Sequence, residues 1–579
     1  MGGIWIAAAL LTMLAGIPVA RQLRHHPRGL WLLFFTEMWE RFSYYGMRSL
    51  LIFYLTDHFL LDDRAAQGRY SAYVALNYLL PLAGGLLGDR VLGARRAVGF
   101  GALLLVAGHG TMAIESAPAR ERIVIHGQSH AVAHRGRGDQ RVETLEVDGR
   151  AIPFTRGADG SLALAAPAGA LPAHIPAGAY QRRIDPVSPA GEALLNLALA
   201  LIVVGVGYQK ANMTALVGAL YTGRPDRDQG FTLYMFGINI GAFWSAVLCG
   251  WLGMEVGWWA GFGLAGIGMA AGYLAFVRHA GMLGEAGAPP AGPFLGRSQL
   301  LAYGAAVPAV ALVWWLVQAF ALTGLLLTAS TVAIVAYLAW VAHARSTAEE
   351  RRGLLVAVSL IALLLVWTML AEQQGAALSL FTDRNTSLAI AGARVDAAQV
   401  QAFYMGFVLI MVPALAWLWA RLARRGRDPV PIHKFAIGFG LQALSYLILG
   451  MSGPLADAGS RVPLVVVVLS LLVHAASEMT LGPIGLAEVT RRAPARLLST
   501  LAATWYLAVS WGQWLGGLLS RTAASASGLP GSASLPLYLH LFLGTAVGAA
   551  AGGAATLGLA AWLTRSAAIS AAPDSPQTA

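Results

Sequence analysis

The 579-residue chain holds one cysteine, Cys249, which excludes any internal disulfide. It holds two lysines, Lys210 and Lys434, so arginine carries nearly all of its positive charge. Charged residues of both signs make up only 12% of the sequence, against 57% hydrophobic. That balance lies well outside the makeup of soluble domains. Also missing are a nucleophile–base pair, a phosphate-binding glycine loop and a convincing metal-ligand set, and together these absences argue against an enzyme. A net charge of +11 could suggest nucleic acid. The arginines, however, sit mainly in short loops between apolar runs, where they read as an orientation signal and not as a nucleic-acid surface.

What is present is apolar length. Runs of about twenty residues recur, as expected of helices that cross a bilayer many times. The first core span covers about 29–56. Further spans fall at 68–88, 96–115, 192–221, 230–251 and 256–278, and a close pair follows at 298–320 and 322–343. Six more lie at 354–381, 397–421, 432–451, 462–487, 498–520 and 537–564. The chain therefore divides into an apolar and basic extension (1–28), a six-helix bundle (29–278), an inserted pair (298–343), a second six-helix bundle (354–564) and a disordered tail (565–579). The stretch Ile4 to Ala20 is open between an extra span, an uncleaved anchor and a misplaced start.

Arg90, Arg95 and Arg96, then Arg224 and Arg227, Arg345 to Arg352, Arg421 to Lys434 and Arg491 to Arg496 all flank connections on one side. The positive-inside rule makes that side cytoplasmic. Residues 116–190 form one long polar loop on the other side, with strand-like runs separated by Asp148-Gly149 and Asp159-Gly160. A small β-rich extracytoplasmic insert follows. His126, His130 and His134 recur every four residues, but the alternation around them argues for surface histidines and against a metal-binding helix.

Charges inside the spans carry the functional signal, because charge at membrane depth is tolerated only where it pairs or lines a wet cavity. In the first core span Glu37, Arg41, Tyr44, Tyr45 and Arg48 share one broad helical face, with Glu40 beside them. Lys210, followed by Asn212, lies in the fourth span; a buried lysine can give up its proton where arginine cannot, and snorkelling to the interface is the plainer reading. Glu372 and Glu478 sit well inside later spans as ion-pair partners, proton carriers, ligands for an ammonium group, or structural hydrogen bonders. Asn239 reads equally as a helix-packing amide or a substrate ligand.

Gly84-Gly-Leu-Leu-Gly88-Asp89-Arg90-Val-Leu-Gly93 links the second and third spans, where small residues permit close helix approach and Asp89 and Arg90 can latch a cytoplasmic gate. This loop resembles the loop motif of the major facilitator superfamily. Glu37-x-x-Glu40-Arg41-Phe42-x-Tyr44-Tyr45 resembles the helix-one motif of its proton-dependent oligopeptide transporters. Further matches are Phe231 to Phe243, Gly482 to Thr490 after Glu478, and the inserted pair, which resembles the bacterial members.

The resemblance implies an all-α membrane protein of two six-helix bundles, in a bacterial cytoplasmic membrane and monomeric. It would use the proton as coupling ion, with no cofactor, to import di- and tripeptides by alternating access. It implies that Arg48 and Lys210 receive the peptide carboxylate, Glu478 the α-ammonium and Asn239 the backbone. Tyr44, Tyr45, Tyr78 and Trp505 would shape the side-chain pocket, and Glu37, Glu40, Arg41, Lys210 and Glu372 would couple protons. Three positions depart from the family: Ala211 stands where proline is usual, Tyr404-Met405 where many members have Asn-Pro, and Trp367 is five residues before Glu372 instead of four. Transport of another small anionic or amino-acid-derived substrate, and a membrane sensor using the outer insert, are the alternative readings.

Overall fold

The computed structural model describes residues 2–135, 142–157, 159–167, 169, 171–288, 296–390, 392–492, 497–526 and 531–571. Each apolar run closes its backbone hydrogen bonds internally as a helix, as the bilayer core requires. The first are α1 (Gly2–Leu23), α2 (Arg28–Phe53), α3 (Asp63–Leu79), α4 (Pro81–Leu87) and α5 (Ala94–Met112). The second expected span is thus broken at Leu80–Pro81. Asp62 caps α3 by accepting from the Ala65 amide at 2.9 Å. After the insert come α6 (Pro189–Leu220), α7 (Arg227–Trp251) and α8 (Trp258–His279), completing the first bundle with α2 packed on α7 and α8 and α5 on α6.

The inserted pair consists of α9 (Arg297–Gly304), α10 (Ala306–Gln318) and α11 (Phe320–Ala344). It bridges the bundles, with α10 against α6 and α11 against a helix of the second half. That half comprises α12 (Ala348–Ala371), α13 (Ala377–Asn385), α14 (Val400–Arg424), α15 (Pro431–Gly450), α16 (Leu464–Arg492), α17 (Leu498–Ser520) and α18 (Gly531–Ala571). A capping box, Thr347 with Glu350, starts α12. Residues 565–571, expected in a disordered tail, continue α18 as helix, because no glycine or proline interrupts the alanine-rich stretch before Pro573; 572–579 lie outside the described residues.

Eleven helical segments among the described residues are long and apolar enough to cross a membrane. α2 is not one of them; its five charged residues lower its hydropathy, and these are the residues that make it informative. Large apolar side chains such as Ile267, Leu274, Leu325, Val332 and Val547 point outward, where lipid takes the place of water. α1 lies against the first bundle through Trp244 of α7, whose indole N–H donates to Thr12 Oγ1 at 2.9 Å.

Residues 120–185 form a seven-stranded antiparallel sheet. Its strands are β1 (Arg120–Ile125), β2 (Gln128–Arg135), β3 (Val142–Val147), β4 (Arg150–Arg156), β5 (Leu162–Leu164), β6 (His174–Ile175) and β7 (Tyr180–Asp185). The order is β6-β5-β4-β3-β2-β1-β7, and Ile123 pairs with His130 on one side and Arg182 on the other. Two-residue turns at His126-Gly127 and Asp148-Gly149 place both residues at positive φ, the primed geometry that tight hairpins need. Ile123, Ile125, Leu145, Val147, Phe154 and Leu162 form a core separate from those of the bundles. His126 sits in a turn and His130 and His134 on β2, so the three do not converge.

Candidate substrate-binding site

α2 places its charges where the sequence pattern put them, facing the interior of the bundle. Arg41 Nε donates to Glu37 Oε1 at 2.9 Å and stands 2.9 Å from Glu40 Oε2, all three side chains being buried. Two turns on, Arg48 Nη2 donates to both oxygens of Glu372 at 2.9 and 3.0 Å, and its Nε donates to Tyr70 Oη at 2.8 Å. Glu372 opens a short 3-10 turn between α12 and α13, so the second half's helix is interrupted at the point where it meets Arg48. Gly375 lies beside this pairing. A Cβ there would stand 2.5 Å from Tyr70 Oη, 2.9 Å from Arg48 Nη2 and 3.0 Å from Glu372 Oε1.

A cavity of about 110 Å³ lies between the halves. The first half contributes Tyr45, Arg48, Tyr70 and Tyr78; the second contributes Glu372, Glu478, His474, Trp367, Tyr404 and Gln513. Lys210 flanks it, its ammonium 3.8 Å from the centre of the Tyr78 ring. The charges acting on that ammonium are those of Arg41, Glu40, Glu37 and Arg48. Glu478 lines the cavity and has no cation within ion-pair distance among the described residues. The cavity thus has a cationic wall from the first half and an anionic wall from the second.

Not every expected residue reaches it. Asn239 lies outside the lining, one turn before Ala242, and its amide donates back to Met235 O at 3.1 Å. Trp505 is buried in the second half's core, where a Cβ on Gly485 would touch it. Tyr44 is buried edge-on to Tyr45 at 5.1 Å, beside the lining and not in it.

Several lining residues were not picked out from sequence, His474, Tyr70 and Gln513 among them. His474, ringed by Trp367, Tyr404 and Tyr446 at 5.8–6.2 Å, is four residues before Glu478 and so on its face. Tyr70 stands eight residues before Tyr78, at a two-turn spacing that could have found it. Gln513 carries no sequence signal, since it is one polar residue among several in α17.

The loop motif brings α4 against α6. A Cβ on Gly84 would be 2.0 Å from Gly207 O, and one on Gly88 would strike Asn212, whose Nδ2 donates to Gly84 O at 3.0 Å. Asp89 and Arg90 are exposed and form no ion pair among the described residues, so the expected latch is not engaged. The opposite end is tied. Arg384 of α13 donates to both oxygens of Asp63 on α3 at 2.6 and 2.8 Å. Gln399 donates to Val247 O, and Arg521 to Arg64 O.

Residues 95–534 match the model of the POT family. The chain belongs to the POT family. Relatives of this POT-family chain include the uncharacterized transporter YclF of Bacillus subtilis, 28% identical over 83% of this chain and 85% of its own length. Another is dipeptide and tripeptide permease A of Erwinia pyrifoliae, 27% identical over 89% of each. A mutant of the peptide transporter POT, solved in complex with alafosfalin, superposes with a TM-score of 0.71 at 28% identity, covering 93% of this chain and 96% of that one. The two six-helix bundles, with the pair between them, are therefore the major facilitator fold of this family, and the β-rich sheet is set into the first bundle.

Proposed function

We propose that the chain is a proton-coupled symporter that imports di- and tripeptides by alternating access. The observation that carries this reading is the split polarity of the cavity, with Arg48 and Lys210 on one side and Glu478 on the other. A zwitterionic peptide carries one charge at each end and fits such a cavity in one orientation. Arg48 and Lys210 then take the carboxylate and Glu478 the α-ammonium, while Tyr45, Tyr70 and Tyr78 meet side chains. Anchoring the ends and leaving side chains to aromatic surface accommodates many sequences. Asn239, Tyr44 and Trp505 act from the flanks.

Glu37, Glu40, Arg41, Lys210 and Glu372 form the coupling machinery. When a carboxylate in this set takes a proton, the arginine or lysine it held is released to another partner. The balance between the two states then shifts by the difference in those pairings. The ties at the insert end, with Asp89 and Arg90 unengaged, support a state closed on the outside. On this reading the protein lies in the bacterial cytoplasmic membrane, works as a single chain, and needs the proton and no cofactor. It performs no covalent chemistry. A second reading, transport of another small amino-acid-derived substrate, draws support from the Tyr404 ring that lines the cavity beside His474, where many members of the family have Asn-Pro.

The test is uptake of labelled dialanine into proteoliposomes with and without an inward proton gradient. Accumulation that collapses with a protonophore is expected. No uptake, with no competition from a mixed dipeptide pool, overturns the peptide reading in favour of the second.

A further inference from the structure

The β-rich insert is fastened to the first bundle. His58, at the end of the helical run that begins with α2, stands 3.4 Å from Ser116 Oγ and 3.5 Å from the Glu115 carboxylate, and its carbonyl accepts from the Ala119 amide at 2.9 Å. The sheet nevertheless overhangs both halves. Between its near end and the helix ends lies a cavity of about 880 Å³. Its walls are Asp57 and Asp62 from the first half, Arg384 and Arg461 from the second, and residues of β1, β3, β4, β5 and β7.

The sheet's own charges at this end hold one another. Arg156 donates to Glu121 and Glu143, each at 2.8 Å, and Arg182 donates to Glu121 at 2.6 Å. They make a rigid rim. The floor differs in kind, because Arg384 both lines this chamber and makes the buried tie to Asp63. The volume is in the range of small-ligand sites, and the floor sets carboxylates of the first half against arginines of the second.

We propose that this chamber is an outer binding site for short zwitterionic peptides, filled before the passage to the central cavity opens. The peptide carboxylate seats on Arg384 and its ammonium faces Asp57 and Asp62. This rests on the peptide-transport reading and extends it to a second site. A carboxylate arriving at Arg384 competes with Asp63 for its guanidinium, so Arg384 keeps a countercharge while the tie is released, and the Asp63 carboxylate stays in the first turn of α3, where the helix dipole favours a negative charge. Loading the chamber and loosening the tie become one event. The insert supplies the roof that keeps the peptide over Arg384, and it travels with the first half alone.

Cysteine labelling tests this in the full chain, since the single native cysteine is buried. Ala163→Cys and Thr155→Cys each place a thiol at an exposed position of the chamber wall. Reaction with a membrane-impermeant maleimide is followed in proteoliposomes whose insert faces outward. The expected result is that dialanine added outside slows labelling several-fold, and still does so when Glu478→Gln has disabled the central cavity. N-acetyl-dialanine amide, which has neither charge, gives no protection. Labelling that dialanine leaves unchanged in the Glu478→Gln background, equal protection by the capped peptide, or failure to label at both positions overturns the proposal. Dialanine uptake by the unsubstituted chain is the separate check: uptake without protection overturns the chamber alone, and absence of uptake overturns the transport reading.

Discussion

Arg48 and Glu372, 324 positions apart in the chain, share a two-pronged hydrogen bond at 2.9 and 3.0 Å that joins the two bundles at the edge of the central cavity. Its position makes Arg48 both a wall of the site and a strut between the two bundles. Glu372→Gln removes the charge and keeps the shape. Breaking such a buried pair costs roughly 3–5 kcal/mol. Proton-driven accumulation of dialanine is expected to fall by about tenfold or more, with counterflow exchange retained. Unchanged accumulation would remove Glu372 from the coupling set.

Gly375 makes a steric prediction about the same pair. A methyl group there enters the space of Tyr70, Arg48 and Glu372 at 2.5–3.0 Å. Gly375→Ala is expected to cut uptake about as severely as the loss of Glu372, with an overpacking penalty of roughly 1–3 kcal/mol in thermal unfolding. Gly440→Ala is the control, since nothing lies within 4 Å of a Cβ at that helical position.

Lys210 separates charge from proton exchange. Lys210→Arg keeps a cation beside Tyr78 but cannot release its proton at any working pH. Dialanine exchange is therefore expected to persist in Lys210→Arg while gradient-driven accumulation disappears; Lys210→Ala loses both. Full accumulation by either variant refutes its place in the coupling set.

Asp63 and Arg384 close the insert end. Asp63→Asn leaves Arg384 without its countercharge and is expected to lower thermal stability, by roughly 3–5 kcal/mol where the pair is fully lost. The exchanged pair Asp63→Arg/Arg384→Asp should recover part of that loss in the same melting measurement. No recovery would mean that packing, and not charge, holds the end shut.

The insert has its own pH dependence. Burial alone would raise the Glu121 carboxyl, but hydrogen bonds from His134, Arg156 and Arg182, with the charge of Arg156, hold it well below the usual carboxylate range. A group depressed in the folded state stabilises fully above its unfolded pKa, about 4.3 for glutamate. That contribution is lost as the pH falls through the folded value. The arginine-rich sheet is therefore expected to resist trypsin at pH 8 and to lose thermal stability in acid. Glu121→Gln should be cut faster at pH 8, having lost a charged hydrogen-bond set worth roughly 1.5–3 kcal/mol.

Much of this was legible in the sequence, for identifiable reasons. Bilayer-length apolar runs disclosed the helices, and charges too costly to bury idly disclosed Arg48, Glu372 and Glu478. Asp148-Gly149 disclosed a hairpin because few dipeptides accept two positive φ angles. The rest depended on distance in space. His474 became visible only when Trp367 and Tyr404, on two other helices, closed around it. The Asp63–Arg384 tie joins residues whose neighbours in sequence say nothing of each other. Asn239 stayed open between two roles because an amide on a helix can satisfy itself on the turn before, as its bond to Met235 O does. The chamber beneath the insert belongs to no single segment.

The two walls of the central cavity come from the two bundles, so the gap between Arg48 and Glu478 depends on the angle between them and is fixed by neither alone. A bound peptide is then a spacer. Each added residue lengthens an extended chain by about 3.3–3.6 Å, and the bundles can come together only as far as the spacer allows. Chain length, more than side-chain identity, would then set how completely the transporter shuts around its cargo.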